Sequence, residues 1–315
     1  GFTGGQTGMN VEVKNYTYET MPDYTEPVEG AGEIIMQGDE KGVYYIPNVV
    51  YDTPDGIPLT LQIVKPGTFS EPDRRWPCIV FVQGSAWMEQ NVYINVVNLG
   101  RLAEKGFVCA IVQTRHSGQA PFPAQVVAAK NAMRFLSAHA ADYNVDPERM
   151  ALMGDSSGGH TAVLAGLTAA YGELDAPSME TPLPAVRGIV SYYGALDILM
   201  PDGFPSTLDH QKATSPEGKL MGQVDVNEHR AEAEKACAGY YVRKDRDLPP
   251  VFLLHGTKDR TVFCEQSVAL FRKLKNCGKD VSLTLVRGAD HGSCIFWSGP
   301  VLKDVAAFFH RCMPE

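Results

Sequence analysis

Residues 150–160 read Met150-Ala151-Leu152-Met153-Gly154-Asp155-Ser156-Ser157-Gly158-Gly159-His160 and decide the fold. The apolar residues at the start predict a short buried strand, and the Ala- and Leu-rich stretch that follows predicts a helix. Between them stands G-x-S-x-G, whose small residues let a strand turn sharply into a helix and expose the serine hydroxyl. We therefore predict that Ser156 is a nucleophile. A Gly-rich helix start capped by Ser or Asp is the alternative for this stretch taken alone.

Short apolar runs alternate with helical stretches on both sides of this segment. They predict strands at Cys78–Val82, Val108–Gln113, Met150–Met153, Gly188–Tyr192, Val251–His255 and Val281–Val286. A helix is predicted over Pro123–Ala141, and Asn144–Glu148 is predicted to end it before the next strand. This alternation is typical of an α/β fold with a mostly parallel central sheet that helices cover on both faces.

Three further stretches complete the predicted organisation. Residues 1–40 lack periodicity and predict an extended N-terminal arm, which leaves residues 41–315 for one α/β domain. Val43–Tyr51 and Pro58–Lys65 predict a hairpin around a turn at residues 52–56. Residues 195–247 are too many for a plain connection, so they predict a lid over the carboxyl ends of the strands, with a helix at Asn227–Ala238.

Two loops after later strands supply partners for the serine. A strand end reads Leu253-Leu254-His255-Gly256-Thr257-Lys258-Asp259, and Ala289-Asp290-His291-Gly292 places a histidine 32 residues after Asp259. A serine hydroxyl needs a base to take its proton and an acid to orient that base. We predict His291 as the base and Asp259 as the acid. Asp290 is the rival acid, and the other histidines, including His255, are predicted to be core or surface residues.

The oxyanion of a tetrahedral intermediate needs backbone N–H donors, one of them from the residue after the nucleophile. That residue is Ser157, and Gln83-Gly84-Ser85-Ala86-Trp87 forms the loop after the strand that ends at Val82. We predict Ser157, Ser85 and Ala86 as the donors. Six aromatic residues are predicted to contact substrate, with core or lid packing as the alternative: Trp87, Phe122, Phe204, Tyr240, Phe263 and Trp297.

Composition narrows the classes of partner. The 315 residues include 28 Lys and Arg against 37 Asp and Glu, a net charge of −9 that repels phosphate backbones and anionic lipid. No nucleic acid or membrane partner is expected. No metal-ligand spacing or phosphate-binding loop occurs, so no metal or cofactor is expected. Gly1–Asn10 has no signal-peptide pattern, which leaves a bacterial cytoplasmic location and secretion with the signal removed as alternatives.

The chain resembles the α/β-hydrolase esterases of the hormone-sensitive-lipase and feruloyl-esterase-like branch, here termed BD-FAE-like. The resemblance runs from about Val43 to the C-terminus and rests on segments 121–125, 146–149, 154–162, 215–217, 255–259 and 289–292. It implies an α/β-hydrolase fold and a triad at Ser156, Asp259 and His291. It also implies a carboxylesterase that cleaves acetyl or feruloyl esters, including esters of plant cell-wall sugars.

Two positions depart from the family pattern. The oxyanion loop of the family begins with His, where this chain has Gln83, and the family has an acidic residue early in the helix after Pro123, where this chain has none to pair with Arg115. Two other functions share the predicted triad or fold: a serine peptidase of the prolyl-oligopeptidase type, which carries an additional propeller domain, and a binding protein without chemistry. A homodimer braced by the N-terminal arm is a further expectation.

Overall fold

The computed structural model describes Gly8, residues 10–200 and residues 203–315. The chain divides into two compact units, Gly1–Gln37 and Gly38–Glu315. In its described residues the first unit has no helix or strand, and a turn is closed by hydrogen bonds between Thr17 and Thr20. Residues 1–7 and 9 of the predicted arm lie outside the described residues. Its role in a homodimer stays a prediction, which sedimentation of a chain lacking residues 1–35 would test.

The second unit is built on a mixed eight-stranded sheet in the order β1-β2-β4-β3-β5-β6-β7-β8. Its strands are β1 (Gly42–Asp52), β2 (Leu59–Gly67), β3 (Trp76–Val82), β4 (Val108–Val112), β5 (Val145–Asp155), β6 (Val186–Tyr192), β7 (Val251–Gly256) and β8 (Val281–Val286). The β1–β2 hairpin and the β2–β4 pair are antiparallel, and all later pairs are parallel. The predicted α/β fold and the hairpin are confirmed.

Helices cover both faces of the sheet. In the described residues they are α1 (Val96–Ala103), α2 (Ala124–Ala138), α3 (Ser157–Thr168), α4 (Pro216–Leu220), α5 (Arg230–Glu234), α6 (Glu265–Asn276) and α7 (Gly299–Cys312). Along β3, Val80 and Val82 pack with α2 and α3, whereas Ile79 and Phe81 pack with α1 and α7. A strand buried on both faces must be apolar at every position, which explains the continuous apolar run.

Two predicted boundaries are wrong. The helix ends at Ala138, and Val145 already pairs with Trp76, so β5 includes residues that were predicted to separate helix from strand. The helix predicted at Asn227–Ala238 is broken into a 3-10 turn, the short α5 and a second 3-10 turn. His229 has φ −133°, outside the helical range, and the pieces on either side of it bury Val226 and Ala233 in a third, smaller core.

Residues 195–247, hereafter the insertion, connect β6 to β7; Pro201 and Asp202 lie outside the described residues. The core of the insertion joins Leu220, Val226 and Ala233 to Trp87 of the loop after β3 and to Val262 of the loop after β7. The insertion therefore packs on both loops that the sequence assigns to chemistry.

Candidate active site

Ser156 stands in a tight turn between β5 and α3. Its backbone has φ 54° and ψ −122°, a strained conformation for a residue with a side chain. A Cβ atom on Gly158 would lie 2.0 Å from the carbonyl oxygen of Val82, and one on Gly154 would lie 2.2 Å from the carbonyl oxygen of Gly158. Glycine is required at both positions, because a side chain on Gly158 would push the elbow away from β3 and one on Gly154 would push the start of α3 away from β5.

The structure brings Ser156, His291 and Asp259 into one hydrogen-bonded chain. His291 Nε2 lies 2.8 Å from Ser156 Oγ, and His291 Nδ1 lies 2.8 Å from Asp259 Oδ2. Because a carboxylate only accepts, His291 donates from Nδ1 and its Nε2 is left to accept the serine proton. Asp259 follows β7 and His291 follows β8, so both side chains stand at the carboxyl ends of parallel strands.

The carboxylate of Asp259 is held in its charged form. Its Oδ1 accepts from the backbone N–H groups of Thr261 and Val262 at 2.9 and 2.8 Å. Burial alone would raise the pKa of Asp259, but hydrogen bonds from His255 and His291 outweigh it and hold the pKa well below its usual range. The rival acid, Asp290, instead binds Arg260 through its carboxylate.

His255 is a contact of the acid that the sequence analysis missed. This fully buried histidine has Nε2 2.8 Å from the Val262 carbonyl and 3.3 Å from Asp259 Oδ2, while Nδ1 lies 2.6 Å from Ser267 Oγ. With Ser267 donating to Nδ1, His255 donates from Nε2 to the acid loop. The sequence contains a signal for this contact: His255 stands at a strand end, and Asp259 follows it four positions later in the next turn.

Tyr193 was also missed. Its ring packs on the His291 ring with centroids 4.5 Å apart, and its backbone has φ 39°, which lies in the left-handed region. The Tyr193 ring thus lies against the His291 imidazole at a tilt of 57°. A tyrosine directly after a strand carries no sequence pattern that would have distinguished it from a core residue.

The loop after β3 lies against the elbow. Gly84 donates its N–H to Asp155 Oδ1 at 2.8 Å, and Ser85 donates its N–H to Ser157 Oγ at 2.9 Å. The structure thus corrects one predicted oxyanion donor, because a neighbouring hydroxyl already occupies the Ser85 amide. Among the described residues, no hydrogen bond occupies the N–H groups of Ala86 and Ser157, which remain available for an oxyanion.

Asp155 holds this loop through its buried carboxylate, although burial disfavours the charged form of that group. Burial raises its pKa to about 6, although the hydrogen bond from Gly84 and the nearby His291 oppose the increase. Asp155 is the first variable residue of G-x-S-x-G, directly before Ser156, and no role was predicted for it. Its contact joins the elbow to the oxyanion loop.

Trp87 and His160 connect the oxyanion loop to the insertion. Trp87 donates from Nε1 to His160 Nδ1 at 3.1 Å, so His160 donates from Nε2 to the Ala236 carbonyl at 2.7 Å. Burial lowers the pKa of His160 to about 4, which keeps it neutral near pH 7. Because Trp87 is 4% exposed and makes these contacts, its prediction as a substrate-stacking residue is wrong.

A second group of contacts fastens the insertion to the acid loop. His210 Nδ1 lies 2.8 Å from Glu217 Oε2, and His210 Nε2 lies 2.9 Å from the Thr261 carbonyl. Burial alone would lower the pKa of His210, but the hydrogen bond and charge of Glu217 raise it. The Ser206 hydroxyl also donates to the Thr261 carbonyl at 2.9 Å.

The other predicted aromatic residues occupy different places. Trp297 is 8% exposed and packs on Phe81 and Tyr192 in the core, so its predicted substrate contact is wrong. Phe204 and Phe263 pack on each other with centroids 4.9 Å apart. Phe122 lines a cavity of about 520 Å³ beside α2, and Tyr240 lines another of about 410 Å³ beside the insertion. Substrate contact by these four residues stays a prediction.

The two departures from the family pattern have structural partners. Gln83 accepts at Oε1 from Asn95 Nδ2 at 3.0 Å, so it holds the start of α1. Arg115 forms an ion pair at 2.6 Å with Asp55, from the turn between β1 and β2. In the described part of the chain, no helix is long and apolar enough to cross a membrane, and no three acidic, His or Cys side chains cluster as metal ligands.

The BD-FAE family model matches residues 61–274, more than half of the chain. The chain belongs to the BD-FAE family. The matched range includes Ser156 and Asp259 and ends before His291, which this structure places beside them.

Relatives of this BD-FAE chain include esterases. Esterase LipQ of Mycobacterium tuberculosis is 29% identical over 208 residues, which cover 66% of this chain and 48% of LipQ. A truncated carbohydrate esterase from gut microbiota is 26% identical, with a TM-score of 0.73, and the match covers 88% of this chain and 98% of that one. A bifunctional GH43-CE protein of Bacteroides eggerthii is 27% identical with a TM-score of 0.73, covering 86% and 35%. The chain spans about half the length of the curated relatives it matches.

Proposed function

We propose that this protein is a carboxylic ester hydrolase that forms an acyl-enzyme on Ser156. Its substrates are short acyl or hydroxycinnamoyl esters, such as acetyl and feruloyl esters of plant cell-wall sugars. The observation that carries the proposal is the continuous chain from Ser156 Oγ through both nitrogens of His291 to Asp259, with 2.8 Å at each step. Each member can perform the role that acyl transfer requires.

In the first half-reaction, His291 Nε2 takes the proton of Ser156 as Oγ attacks the ester carbonyl carbon. The charge that develops on His291 is stabilised by Asp259, which stays ionised because of its hydrogen bonds. The carbonyl oxygen becomes an oxyanion that the N–H groups of Ala86 and Ser157 can meet. His291 then gives its proton to the leaving alcohol, and Ser156 holds the acyl group.

In the second half-reaction, water takes the place of the alcohol. His291 accepts a proton from the water as it attacks the acyl carbon, and the second tetrahedral intermediate uses the same donors. Collapse of that intermediate returns the proton to Ser156 Oγ and releases the carboxylic acid.

The substrate class is supported by two solved structures. The truncated carbohydrate esterase from gut microbiota is 26% identical and the bifunctional GH43-CE protein is 27% identical to this chain. The two matches cover 88% and 86% of this chain.

The test is labelling with a fluorophosphonate, measured by intact mass and peptide mapping, beside turnover of an aryl acetate, methyl ferulate and an aminoacyl anilide. We expect one label on Ser156 and turnover of the acetate and ferulate, with little anilide cleavage. Ser156→Ala should take no label and keep the melting temperature of the parent. Rapid anilide cleavage would favour the peptidase alternative, and an unlabelled protein without turnover would favour the binding protein.

A further inference from the structure

The loop after β3 contains a tight turn whose central residues are not glycine. The Met88 N–H closes the turn by donating to the Ser85 carbonyl at 3.0 Å. The two residues between them, Ala86 and Trp87, have φ 54° and 55°, both in the left-handed region. Turns with positive φ at both central positions usually carry Gly, Asn or Asp there. Backbone strain of this kind persists where the surrounding contacts hold it in place.

The start of this turn lies against the elbow. A Cβ atom on Gly84 would lie 3.1 Å from the Cβ atom of Ser156, and Ser85 donates its N–H to Ser157 Oγ at 2.9 Å. Ala86 is the next residue, and the proposed mechanism uses its N–H as an oxyanion donor. This N–H belongs to the planar peptide group that joins Ser85 to Ala86. Relaxation of φ at Ala86 would therefore change the direction of the donor.

The side chain of Trp87 anchors the turn. Its indole is 4% exposed and belongs to the apolar core that the insertion shares with Val262. Its Nε1 donates to His160 Nδ1 at 3.1 Å, and the two rings meet edge-on with centroids 5.1 Å apart. The Trp87 carbonyl also accepts from the Ser117 N–H at 2.7 Å. Release of the indole would remove the side-chain contacts that fix the second strained residue.

His160 joins this anchor to the insertion. It lies in α3, four positions after Ser156, and is 1% exposed. Because its Nδ1 accepts from Trp87, its Nε2 carries the proton and donates to the Ala236 carbonyl at 2.7 Å. One imidazole thus connects the loop after β3, the helix that follows the nucleophile and the insertion.

We propose that Trp87 and His160 are positioning residues for the oxyanion donor. The insertion and His160 hold the indole, and the indole holds Ala86 in the strained turn that directs its N–H toward the oxyanion. This inference rests on the proposed function. It predicts that loss of the hydrogen bond between Trp87 and His160 weakens binding of the transition state more than binding of the ester.

The experiment measures kcat and kcat/KM for 4-nitrophenyl acetate and the inhibition constant of an aryl trifluoromethyl ketone. The ketone adds to a serine hydroxyl and forms a tetrahedral adduct with an oxyanion, so its inhibition constant reports the oxyanion donors. Trp87→Phe keeps a buried ring but loses the N–H donor, and His160→Leu removes the acceptor.

Both variants should lose activity through the transition state. Removal of one oxyanion donor costs about 10²- to 10³-fold in kcat, so we expect a misplaced donor to cost roughly 10- to 100-fold. Because the interaction is made only in the transition state, kcat and kcat/KM should fall by the same factor. The inhibition constant of the ketone should rise by a similar factor.

Two further variants separate positioning from stability. His160→Gln keeps an acceptor and a donor on one side chain, so it should recover part of the lost kcat. Trp76→Phe is the matched control, because Trp76 is 3% exposed and lies at the opposite end of β3 from the turn. It should keep the kcat and the ketone inhibition constant of the parent. Melting curves show whether each variant is folded, and if His160→Leu does not fold, comparison of Trp87→Phe with Trp76→Phe decides.

The outcomes separate the two proposals. If the parent neither hydrolyses the ester nor takes a fluorophosphonate label on Ser156, the proposed function fails. If the parent hydrolyses the ester and folded Trp87→Phe protein keeps its kcat and its ketone inhibition constant, the positioning role is overturned. Equal losses in His160→Gln and His160→Leu, or a change confined to KM, would also overturn it.

Discussion

The elbow around Ser156 and the insertion are held by different kinds of contact. At the elbow, backbone touches backbone: a Cβ on Gly158 would lie 2.0 Å from the Val82 oxygen. The insertion is held by an apolar core that it shares with Trp87 and Val262 and by single hydrogen bonds, such as those of His160 to the Ala236 carbonyl at 2.7 Å and of His210 to the Thr261 carbonyl at 2.9 Å. We therefore expect substitutions to act all-or-none at the elbow and by degrees in the insertion.

The largest effect is expected for Gly158→Ala. The added methyl overlaps the Val82 carbonyl, and the elbow cannot move without breaking its contacts with β3. We expect the free energy of unfolding to fall by more than about 4 kcal/mol, or no folded protein, in urea denaturation. Gly299→Ala is the control, because no atom lies within 4 Å of its added Cβ. A Gly158→Ala protein as stable as the control would refute the backbone-contact explanation.

Substitution of His255 tests whether the loop that carries Asp259 loses its function completely, as we expect for the elbow, or only in part, as we expect for the insertion. A hydrogen bond to a charged group contributes about 1.5–3 kcal/mol, so His255→Leu should lower kcat roughly ten- to a hundredfold. His255→Gln keeps an N–H donor and should recover part of the lost kcat. Equal losses of kcat in the two variants, with melting curves that show both are folded, would leave His255 a purely structural role.

Asp155→Asn should make the protein more stable in alkali. Burial raises the pKa of Asp155 from 3.8 to about 6, so the folded state binds this proton more tightly and stability is lost as pH rises through that window. Asparagine carries no charge and can still accept from Gly84. We expect a melting temperature a few degrees above the parent at pH 8, with the difference shrinking toward pH 4. A variant less stable at every pH would contradict the assigned cost of burial.

The smallest effect is expected in the insertion. Because its folded pKa is raised above 6.5, His210 stabilises the fold below that pH, and this contribution is lost as pH rises through the folded pKa. The melting temperature of the parent should therefore fall by roughly one or two degrees between pH 6.5 and 8.5. His210→Gln does not titrate and should have a flatter profile. Parallel profiles for the two proteins would show that another group is responsible.

Local patterns predicted most of the fold. The strands at Val251–Gly256 and Val281–Val286 follow their apolar runs closely, because such runs have few other ways to be buried. The same logic singled out Ser156, Asp259 and His291, which lie together in the structure. Glycine spacing and strand ends constrain those positions locally.

What the sequence did not predict depends on contacts between distant residues. The partner of Arg115 is Asp55, sixty residues earlier, and no local pattern identifies such a pair. The sequence around Trp297 contains nothing that distinguishes a residue that lines a cleft from one that packs on Phe81 in the core. The helix predicted at Asn227–Ala238 is a polar stretch, and the five-residue helix that forms there depends on what it packs against, here the core of the insertion.

The strand order has a consequence for folding kinetics. β3 lies between β4 and β5, and the bond from Ser85 to Ser157 joins residues 72 positions apart. Pairing of strands that are so far apart in the sequence is slow, because the chain loses loop-closure entropy before the native contacts stabilise it. A refolding chain should regain helical circular dichroism first and ester turnover last. Turnover would thus report the completion of the central sheet.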